Sequence, residues 1–275
     1  MTGPASDPAI ETIAAAAMEA LGEGGRQIAT FTSRDPAFDL DRAYRVTPVV
    51  RRLREARGER VVGRKIGFTN RNIWAQYGVY APIWGYVYDS TMRDLASLDG
   101  PVPLAAFAEP RIEPEIVFGL ASAPRAGMDE AALLSCIGWV AHGFEIVQSI
   151  FPGWVFAPAD TVAAFGLHGA LFVGERHPVA EKRDEWLRAL SDFSVTLRCG
   201  DVVEHGHARD VLDGPLSALK HFVDLLAGDA HNPPLAAGEI VTTGTLTRAM
   251  PVRPGERWRT ELAGIPLQGI AIAFR

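Results

Sequence analysis

The chain has 275 residues, of which 48% are hydrophobic and 22% charged, a balance typical of a globular protein with a full hydrophobic core. A net charge of −6 and an isoelectric point near 5.7 argue against a nucleic-acid partner, which would require a basic surface. The two cysteines, Cys136 and Cys199, have neither zinc-site nor disulfide-framework spacing and fit a reducing compartment.

The N-terminal segment has acidic residues and no basic region ahead of its alanine-rich run, so it does not resemble a signal peptide. No uncharged apolar stretch approaches the roughly 18 residues of a membrane-spanning helix. We therefore expect a cytoplasmic protein without a membrane partner.

The first helix is predicted to begin at Asp7, because an acidic N-cap followed by proline is a strong helix start, and to stop at residues 22–25. A second helix is predicted to begin near Asp39 or Asp41. Pro48 is expected to bend or break it.

From residue 61 onward, short apolar or β-branched runs alternate with glycine, proline and aspartate. The predicted strands are Val61–Thr69, Trp84–Tyr88, Arg111–Leu120, Trp139–Val147, Gly169–Val173, Phe193–Arg198, Glu239–Thr243, Arg257–Glu261 and Gly269–Phe274. The predicted helices are Met128–Cys136, Ala180–Leu190 and Pro215–Leu226. This order predicts an α+β fold, a β-roll or sandwich of residues 61–275 preceded by a helical section of residues 1–60.

Two glutamates, Glu113 and Glu115, lie two positions apart in an otherwise apolar strand. Because side chains in a strand repeat every two residues, both carboxylates leave the same face of the sheet. A divalent cation such as Mg²⁺ or Mn²⁺ would offset two buried like charges. The alternative is an edge strand with both side chains in water, which Pro114 favours.

Further candidates lie in two other predicted strands. Lys65 is flanked by glycines, which leaves room for a ligand to approach its ammonium group; the alternative is an exposed edge-strand lysine. Glu145, in an apolar strand, would supply a third carboxylate to a hard cation, or would be a paired surface charge. His142 is expected to be a packed histidine.

The remaining candidates have equally plausible structural roles. Asp160 suits a helix cap as well as a catalytic acid, and His168 suits either a site acid–base or a structural histidine. His205 and His207 have metal-like spacing but are interpreted as a loop. The hydroxyl-rich turn at 242–247, with Gly244 and Thr245, could hold a substrate carboxylate or be a plain β-turn.

Taken together, these segments resemble the fumarylacetoacetate hydrolase superfamily, and most closely its 2-keto-4-pentenoate hydratase and 4-oxalocrotonate decarboxylase branch. The motifs carrying the resemblance, in chain order, are Gly63-Arg-Lys-Ile-Gly-Phe-Thr69, Trp84-Gly-Tyr-Val-Tyr-Asp89, Ile112-Glu-Pro-Glu-Ile-Val-Phe118, Phe144-Glu-Ile-Val-Gln148, Val211-Leu-Asp-Gly-Pro-Leu-Ser-Ala-Leu219 and Gly238-Glu-Ile-Val-Thr-Thr-Gly-Thr-Leu-Thr247. They extend over roughly residues 36 to 274.

The resemblance implies a mixed β-roll with an N-terminal helical section, a homo-oligomer and a role in aromatic catabolism. It implies that Mg²⁺ or Mn²⁺ is held by Glu113, Glu115 and Glu145. It also implies roles for further residues in catalysis or substrate binding. These residues are Lys65 beside the substrate's 2-oxo or enol oxygen, Asp89 as a hydrogen-bonding partner, and Thr69, Gly244 and Thr245 along the pocket.

The implied activity is a metal-dependent hydratase (hydro-lyase) acting on a small 2-hydroxydienoic or 2-oxo acid through an enolate, with Asp160 or His168 assisting. The same chemistry supports decarboxylation or hydrolytic C–C cleavage of a related acid. A catalytically inactive, metal-stabilised binding domain is the further alternative, because Gln148 and Thr161 depart from the branch's usual residues.

Overall fold

The computed structural model describes residues 7–22, 26–71 and 74–275. Its helices are α1 (Pro8–Ala20), α2 (Phe31–Arg34), α3 (Leu40–Glu55), α4 (Trp74–Tyr77), α5 (Glu130–Cys136), α6 (Pro158–Ala163), α7 (Arg183–Ser191) and α8 (Pro215–Ala227). Its strands are β1 (Val61–Gly67), β2 (Ile83–Tyr88), β3 (Met92–Asp94), β4 (Arg111–Leu120), β5 (Ile137–Val147), β6 (His168–Val173), β7 (His177–Pro178), β8 (Ser194–Cys199), β9 (Val202–His207), β10 (Ile240–Thr242), β11 (Met250–Pro251), β12 (Arg257–Ala263) and β13 (Ala271–Ala273).

The N-terminal helices form much as their sequence predicts. Asp7 caps α1 by accepting a hydrogen bond from the Ala9 amide, and Asp39 caps α3 in the same way. Helix α3 continues through Pro48 instead of breaking there. Part of the predicted stop of α1, residues 23–25, lies outside the described residues.

Two sheets make up the rest of the molecule. The larger has nine strands in the order β2-β1-β10-β4-β5-β6-β3, with β11 added to β4 and β7 added to β5. It is mixed, because β1 and β10 run parallel, as do β3 and β6, while its other pairs are antiparallel. The smaller sheet has the order β13-β12-β8-β9. The predicted α+β class with a mixed β-roll is confirmed.

Some local predictions were wrong. His205 and His207 lie in β9, paired with β8, and not in a loop. One side of this edge strand faces water, so its sequence is polar and contains glycine. Such a sequence lacks the apolar pattern from which strands are predicted. Helix α6 was missed, since its six residues are too short to show helical periodicity.

The N-terminal helices do not stand apart from the sheet. Their buried side chains, such as Ile10 and Val46, belong to one hydrophobic cluster with Ile83 of β2 and Val147 of β5. The N-terminal helices and the large sheet therefore share a core, and the boundary at residue 60 stays a prediction. In the described ranges, no helix combines the length and apolar character needed to cross a membrane.

Candidate active site

The centre of the large sheet brings three glutamates together. Glu113 of β4 stands directly opposite Glu145 of β5, and Glu115 comes two residues later on the same face of β4. One carboxylate oxygen from each of the three lies within 4.8 Å of the others. We call Glu113, Glu115 and Glu145 the acidic cluster. Glu115 and Glu145 are completely buried and Glu113 is half-buried, and β4 lies between β10 and β5 and not at an edge of the sheet.

Glu115 is fully buried, and within the described residues only one of its two carboxylate oxygens accepts a hydrogen bond. Its Oε2 accepts a hydrogen bond of 2.8 Å from the Gly244 amide, whereas its Oε1 has no hydrogen-bond partner among residues 7–22, 26–71 and 74–275. Gly244 has a φ of +97°, and a Cβ there would lie 1.8 Å from Thr69 Oγ1. Only glycine therefore lets this amide reach the carboxylate.

Glu145 is also fully buried and lies between two basic side chains. Its Oε1 is 2.7 Å from Nδ1 of His168, and its Oε2 is 3.3 Å from Nζ of Lys65. That second contact is an ion pair without hydrogen-bond geometry, so Oε2 also lacks a hydrogen-bond partner in the described chain.

Lys65 reaches the cluster from β1 and is anchored by an unusual turn. Its Nζ donates a hydrogen bond of 2.9 Å to the carbonyl of Gly166. Phe165, Gly166 and Leu167 have φ values of 62°, 62° and 64°. Such left-handed backbone is costly for residues other than glycine and concentrates at functional sites.

The electrostatics of the site result from burial of these groups. Burial raises the pKa of Glu113 to about 8; Lys65 opposes this rise, and the other two carboxylates add to it. Burial likewise raises the pKa of Glu115 and Glu145. Burial disfavours the charged form of Lys65, yet the three carboxylates prevail and raise its pKa, so Lys65 is an ammonium ion at neutral pH.

A cavity of about 270 Å³ opens onto this cluster. Glu113, Lys65 and Thr245 lie at its polar end, and Arg111 and Arg248 add positive charge. The rest of its wall is mainly apolar: Phe68, Val147, Trp154, Leu167, Ala249, Met250 and Pro251. We call this the active-site cavity. A polar end within apolar walls suits a small organic acid.

Not every predicted site residue lines this cavity. Thr245 does so, and its hydroxyl donates to the Thr247 carbonyl. Thr69 and Gly244 instead contact each other, and Gly244 acts by holding Glu115.

The predicted catalytic roles of Asp89 and Asp160 require correction. Asp89 lies just past the far end of β2 and pairs with Arg60, 2.9 Å away, and not with Lys65. Both oxygens of Asp160 are occupied by hydrogen bonds from Thr32 and Ala157, which cap α6 and tie it to α2. Asp160 therefore takes the structural role that its sequence context also allowed.

His168 touches the acidic cluster but faces away from the active-site cavity. It lines a second cavity of about 300 Å³, with Arg93, Thr91 and Gln148. Burial and the nearby positive charge of Lys65 hold the pKa of His168 well below its usual value. Among the described residues, His168 therefore belongs to the lining of the second cavity and not to that of the active-site cavity.

Comparisons with known proteins extend over nearly the whole chain. No family model matches it. It is 30% identical over 258 residues to 2-hydroxyhexa-2,4-dienoate hydratase of Comamonas testosteroni, covering 93% of this chain and 94% of that protein. It is 33% identical over 262 residues to 2-keto-4-pentenoate hydratase of Burkholderia vietnamiensis, covering 94% and 95%. The solved 4-oxalocrotonate decarboxylase from Pseudomonas putida G7, complexed with magnesium and adipate, matches with a TM-score of 0.87 and 26% identity over 100% of both chains.

The chain belongs to the 2-keto-4-pentenoate hydratase and 4-oxalocrotonate decarboxylase family, and it has the fold of fumarylacetoacetate hydrolase family proteins. The two departures from this family's usual residues have structural roles. Oε1 of Gln148 accepts a hydrogen bond from the Ala108 amide, and the Thr161 hydroxyl donates to the Pro158 carbonyl.

Three further residues of this family member were missed from sequence. Gly166 contributes through a backbone carbonyl, which no side-chain pattern reveals. Arg111 and Arg248 line the active-site cavity. Arg111 had a signal, because it precedes Glu113 by two residues and so shares its face of β4.

Proposed function

We propose that the chain is a divalent-metal-dependent hydro-lyase that adds water to a small 2-hydroxydienoic or 2-oxo acid. Glu113, Glu115 and Glu145 would hold Mg²⁺ or Mn²⁺, and Lys65 would act beside them. The observation that supports this most strongly is the meeting of three carboxylates beside a cavity that is lined by one of them, Glu113, and by the Lys65 ammonium.

The acidic cluster fits a hard divalent cation on two counts. Oε1 of Glu115 is buried without a hydrogen bond in the described chain, and the contact of Oε2 of Glu145 with Lys65 is an ion pair without hydrogen-bond geometry; a bound cation would offset the cost of burying these oxygens. Three carboxylates against one lysine also leave a charge of −2 in the ionised state. An oxygen-only ligand set favours Mg²⁺ or Mn²⁺ over Zn²⁺.

When bound, the cation would supply Lewis-acid polarisation of the substrate's 2-oxo and carboxylate oxygens. Lys65 would place a fixed positive charge next to the oxygen on which negative charge develops, and would transfer the proton during tautomerisation. Its bond to the Gly166 carbonyl holds the ammonium in place for this step. Water would then add to the conjugated double bond.

The active-site cavity supports a substrate of a few carbons. Its volume of about 270 Å³ lies near the lower limit for small-molecule sites. Apolar walls beyond the polar end would exclude bulk water from the diene.

The direct test is incubation with 2-hydroxypenta-2,4-dienoate, with Mg²⁺ or with EDTA, monitoring loss of the diene's ultraviolet absorbance. We expect turnover that depends on the metal and gives a hydrated 2-oxo acid. If the metal-loaded protein turns over neither the dienoate nor any 2-oxo acid, including oxalocrotonate and acylpyruvates, the proposal is wrong. That result would favour a metal-stabilised binding domain.

Decarboxylation is the second candidate, supported by the likeness to the solved decarboxylase and by Arg111 in the cavity wall; the other arginine there, Arg248, is already paired with Glu204. An arginine can pair with a second carboxylate on a dicarboxylic substrate. Release of CO₂ from oxalocrotonate, without hydration of the dienoate, would favour this reaction. Cleavage of an acylpyruvate would identify C–C hydrolysis instead.

We also propose that the enzyme acts as a homo-oligomer in the cytoplasm. Family resemblance supports the first part, and the two free cysteines, Cys136 and Cys199, support a reducing compartment. Light scattering coupled to size exclusion measures the assembly; a monomer at micromolar concentration would contradict it.

A further inference from the structure

We propose that His168 is a positioning residue that orients the Glu145 carboxylate for the cation, and that Thr91 in turn orients His168. This inference rests on the proposed metal-dependent function. It gives His168 a role different from the acid–base role considered from sequence, because the histidine acts through Glu145 and not on the substrate.

The geometry forms a continuous chain of buried contacts. Nδ1 of His168 lies 2.7 Å from Oε1 of Glu145, and Nε2 lies 2.9 Å from Oγ1 of Thr91. Glu145 and His168 are both buried, at 0% and 3% exposure. Thr91 is itself held in the turn after β2, where its Oγ1 accepts a hydrogen bond from the Tyr88 amide.

These partners determine which nitrogen carries the proton. When Glu145 is ionised, as a metal ligand would be, its carboxylate only accepts hydrogen bonds, so Nδ1 of His168 donates to it. Nε2 of the neutral ring then needs a donor, and the Thr91 hydroxyl is the nearest one. The Thr91 hydroxyl has one hydrogen and two acceptors within reach, Nε2 of His168 at 2.9 Å and the Tyr88 carbonyl at 3.1 Å. We assign the hydrogen to the shorter contact, the one with His168.

Only one oxygen of Glu145 is occupied in this way. With Oε1 bonded to His168, rotation of the carboxylate is restricted and Oε2 is left next to Lys65. Partners that orient a metal-binding side chain typically change metal affinity by about 10–100-fold when removed. His168 lines the second cavity and not the active-site cavity, which favours an action through Glu145 over contact with a substrate.

A second histidine provides a matched control. His142 is also buried, and its Nε2 also lies 2.9 Å from a threonine hydroxyl, that of Thr260. Its Nδ1, however, lies 2.9 Å from the backbone carbonyl of Glu115 and not from a carboxylate. Loss of His142 should lower stability as loss of His168 does, without releasing a carboxylate.

The experiment measures the Kd for Mn²⁺ alone by electron paramagnetic resonance, together with the Tm in EDTA. Asparagine at position 168 places an amide nitrogen near the Nδ1 position, whereas glutamine places it near Nε2. We expect His168→Gln and His168→Leu to raise the Kd by about 10–100-fold and His168→Asn to stay within about threefold of wild type. Thr91→Val should raise the Kd by about threefold, because it removes only the outer partner.

The outcomes separate this role from a purely structural one. If His168→Asn and His168→Gln weaken Mn²⁺ binding equally, or if a folded His168→Leu keeps the native Kd, the inference is wrong. It is also wrong if His142→Leu raises the Kd as much as His168→Leu. The asparagine and glutamine pair decides the question even if the leucine variant does not fold. Wild-type protein that binds no Mn²⁺ would overturn the proposed function, and this inference with it.

Discussion

The molecule buries carboxylates in two regions with opposite surroundings. At the start of α6, Asp160 accepts three hydrogen bonds, from the amide and hydroxyl of Thr32 and from the Ala157 amide. In the acidic cluster, Glu115 and Glu145 each keep one buried oxygen without a hydrogen bond in the described ranges. Asp160, Glu115 and Glu145 are all completely buried. This difference in hydrogen bonding is the basis on which we propose a metal-binding role for Glu115 and Glu145 and a structural role for Asp160.

Physical chemistry explains why the two regions diverge. A buried charge without partners costs several kcal/mol, so evolution either satisfies it or gives it a ligand. Asp160 is satisfied by its own helix and by α2, and so contributes to folding. The acidic cluster holds three buried or half-buried carboxylates near one lysine, and we propose that a cation offsets the remaining negative charge. Substitutions in each region, and a change of pH, test this contrast.

Glu115→Gln has the largest expected effect, because it removes one charge from the cluster while keeping the side chain's shape. We expect at least a ~100-fold loss of metal-dependent turnover, since losing a ligand should exceed the effect of losing its supporting partner. The metal-free variant should be as stable as wild type or more so, because an amide costs less to bury than a carboxylate that can ionise. Turnover with and without EDTA, and Tm in EDTA, measure both effects; wild-type rates in EDTA would refute the metal site.

Lys65→Ala removes the ammonium group on the substrate side of the cluster. We expect kcat to fall by about 100-fold at saturating Mg²⁺, because proton transfer and charge stabilisation are lost, with a much smaller change in metal affinity. Steady-state kinetics together with Mn²⁺ titration separate the two. A change confined to KM would argue against a chemical role for Lys65.

Asp160→Asn changes the satisfied carboxylate to an amide. The new NH₂ group would be a hydrogen-bond donor placed against groups that now donate to a carboxylate oxygen, so at least one hydrogen bond would be lost. We therefore expect the free energy of unfolding to fall by about 2 kcal/mol. The Kd for Mn²⁺ should not change. Urea unfolding measures the first quantity. Reduced turnover in a variant of native stability would restore Asp160 as a catalytic candidate.

The acidic cluster should also make metal stabilisation depend on pH. The pKa of Glu113 is raised from 4.5 to about 8 in the folded protein, so between these values the folded chain holds a proton that the unfolded chain has lost. The metal-free protein therefore loses stability as pH rises through this range, and a bound cation displaces the proton.

The increase in Tm on adding Mg²⁺ should consequently be about 2–4 °C larger near pH 8 than near pH 6. Differential scanning fluorimetry in Mg²⁺ and in EDTA measures it. Glu113→Gln is the control and should reduce the difference between the two pH values. Equal increases at both would show that the cluster does not hold protons that the metal displaces.

Much of this site was predictable because strand periodicity acts locally. Glu113 and Glu115 share a face in any strand, and two more apolar strands carried Lys65 and Glu145. The fold class was predictable from short strands separated by turn residues. These features depend on neighbours in sequence, and the structure has them where the pattern placed them.

The features that sequence did not reveal depend on distant partners. His168 meets Thr91, 77 positions away, and its direction toward a second cavity results only from the pairing of β5 and β6. Asp160 meets Thr32 across 128 positions. Because β1 and β2 are antiparallel, Asp89 at the end of β2 lies next to Arg60 at the start of β1. This end of the strand pair is opposite to the end that carries Lys65 and faces the acidic cluster. Each misassignment came from a residue whose role is decided by tertiary contact.

The left-handed turn at Phe165–Leu167 has a consequence for protein engineering. Two of its three residues hold backbone angles that cost about 1–3 kcal/mol each, and the turn presents the carbonyl that anchors Lys65. A search for heat-resistant variants would naturally select substitutions that relax this segment. Variants whose backbone leaves the left-handed conformation would gain thermal stability, but the Gly166 carbonyl would no longer hold the Lys65 ammonium in place. Thermal stability and turnover should therefore be screened together at these positions.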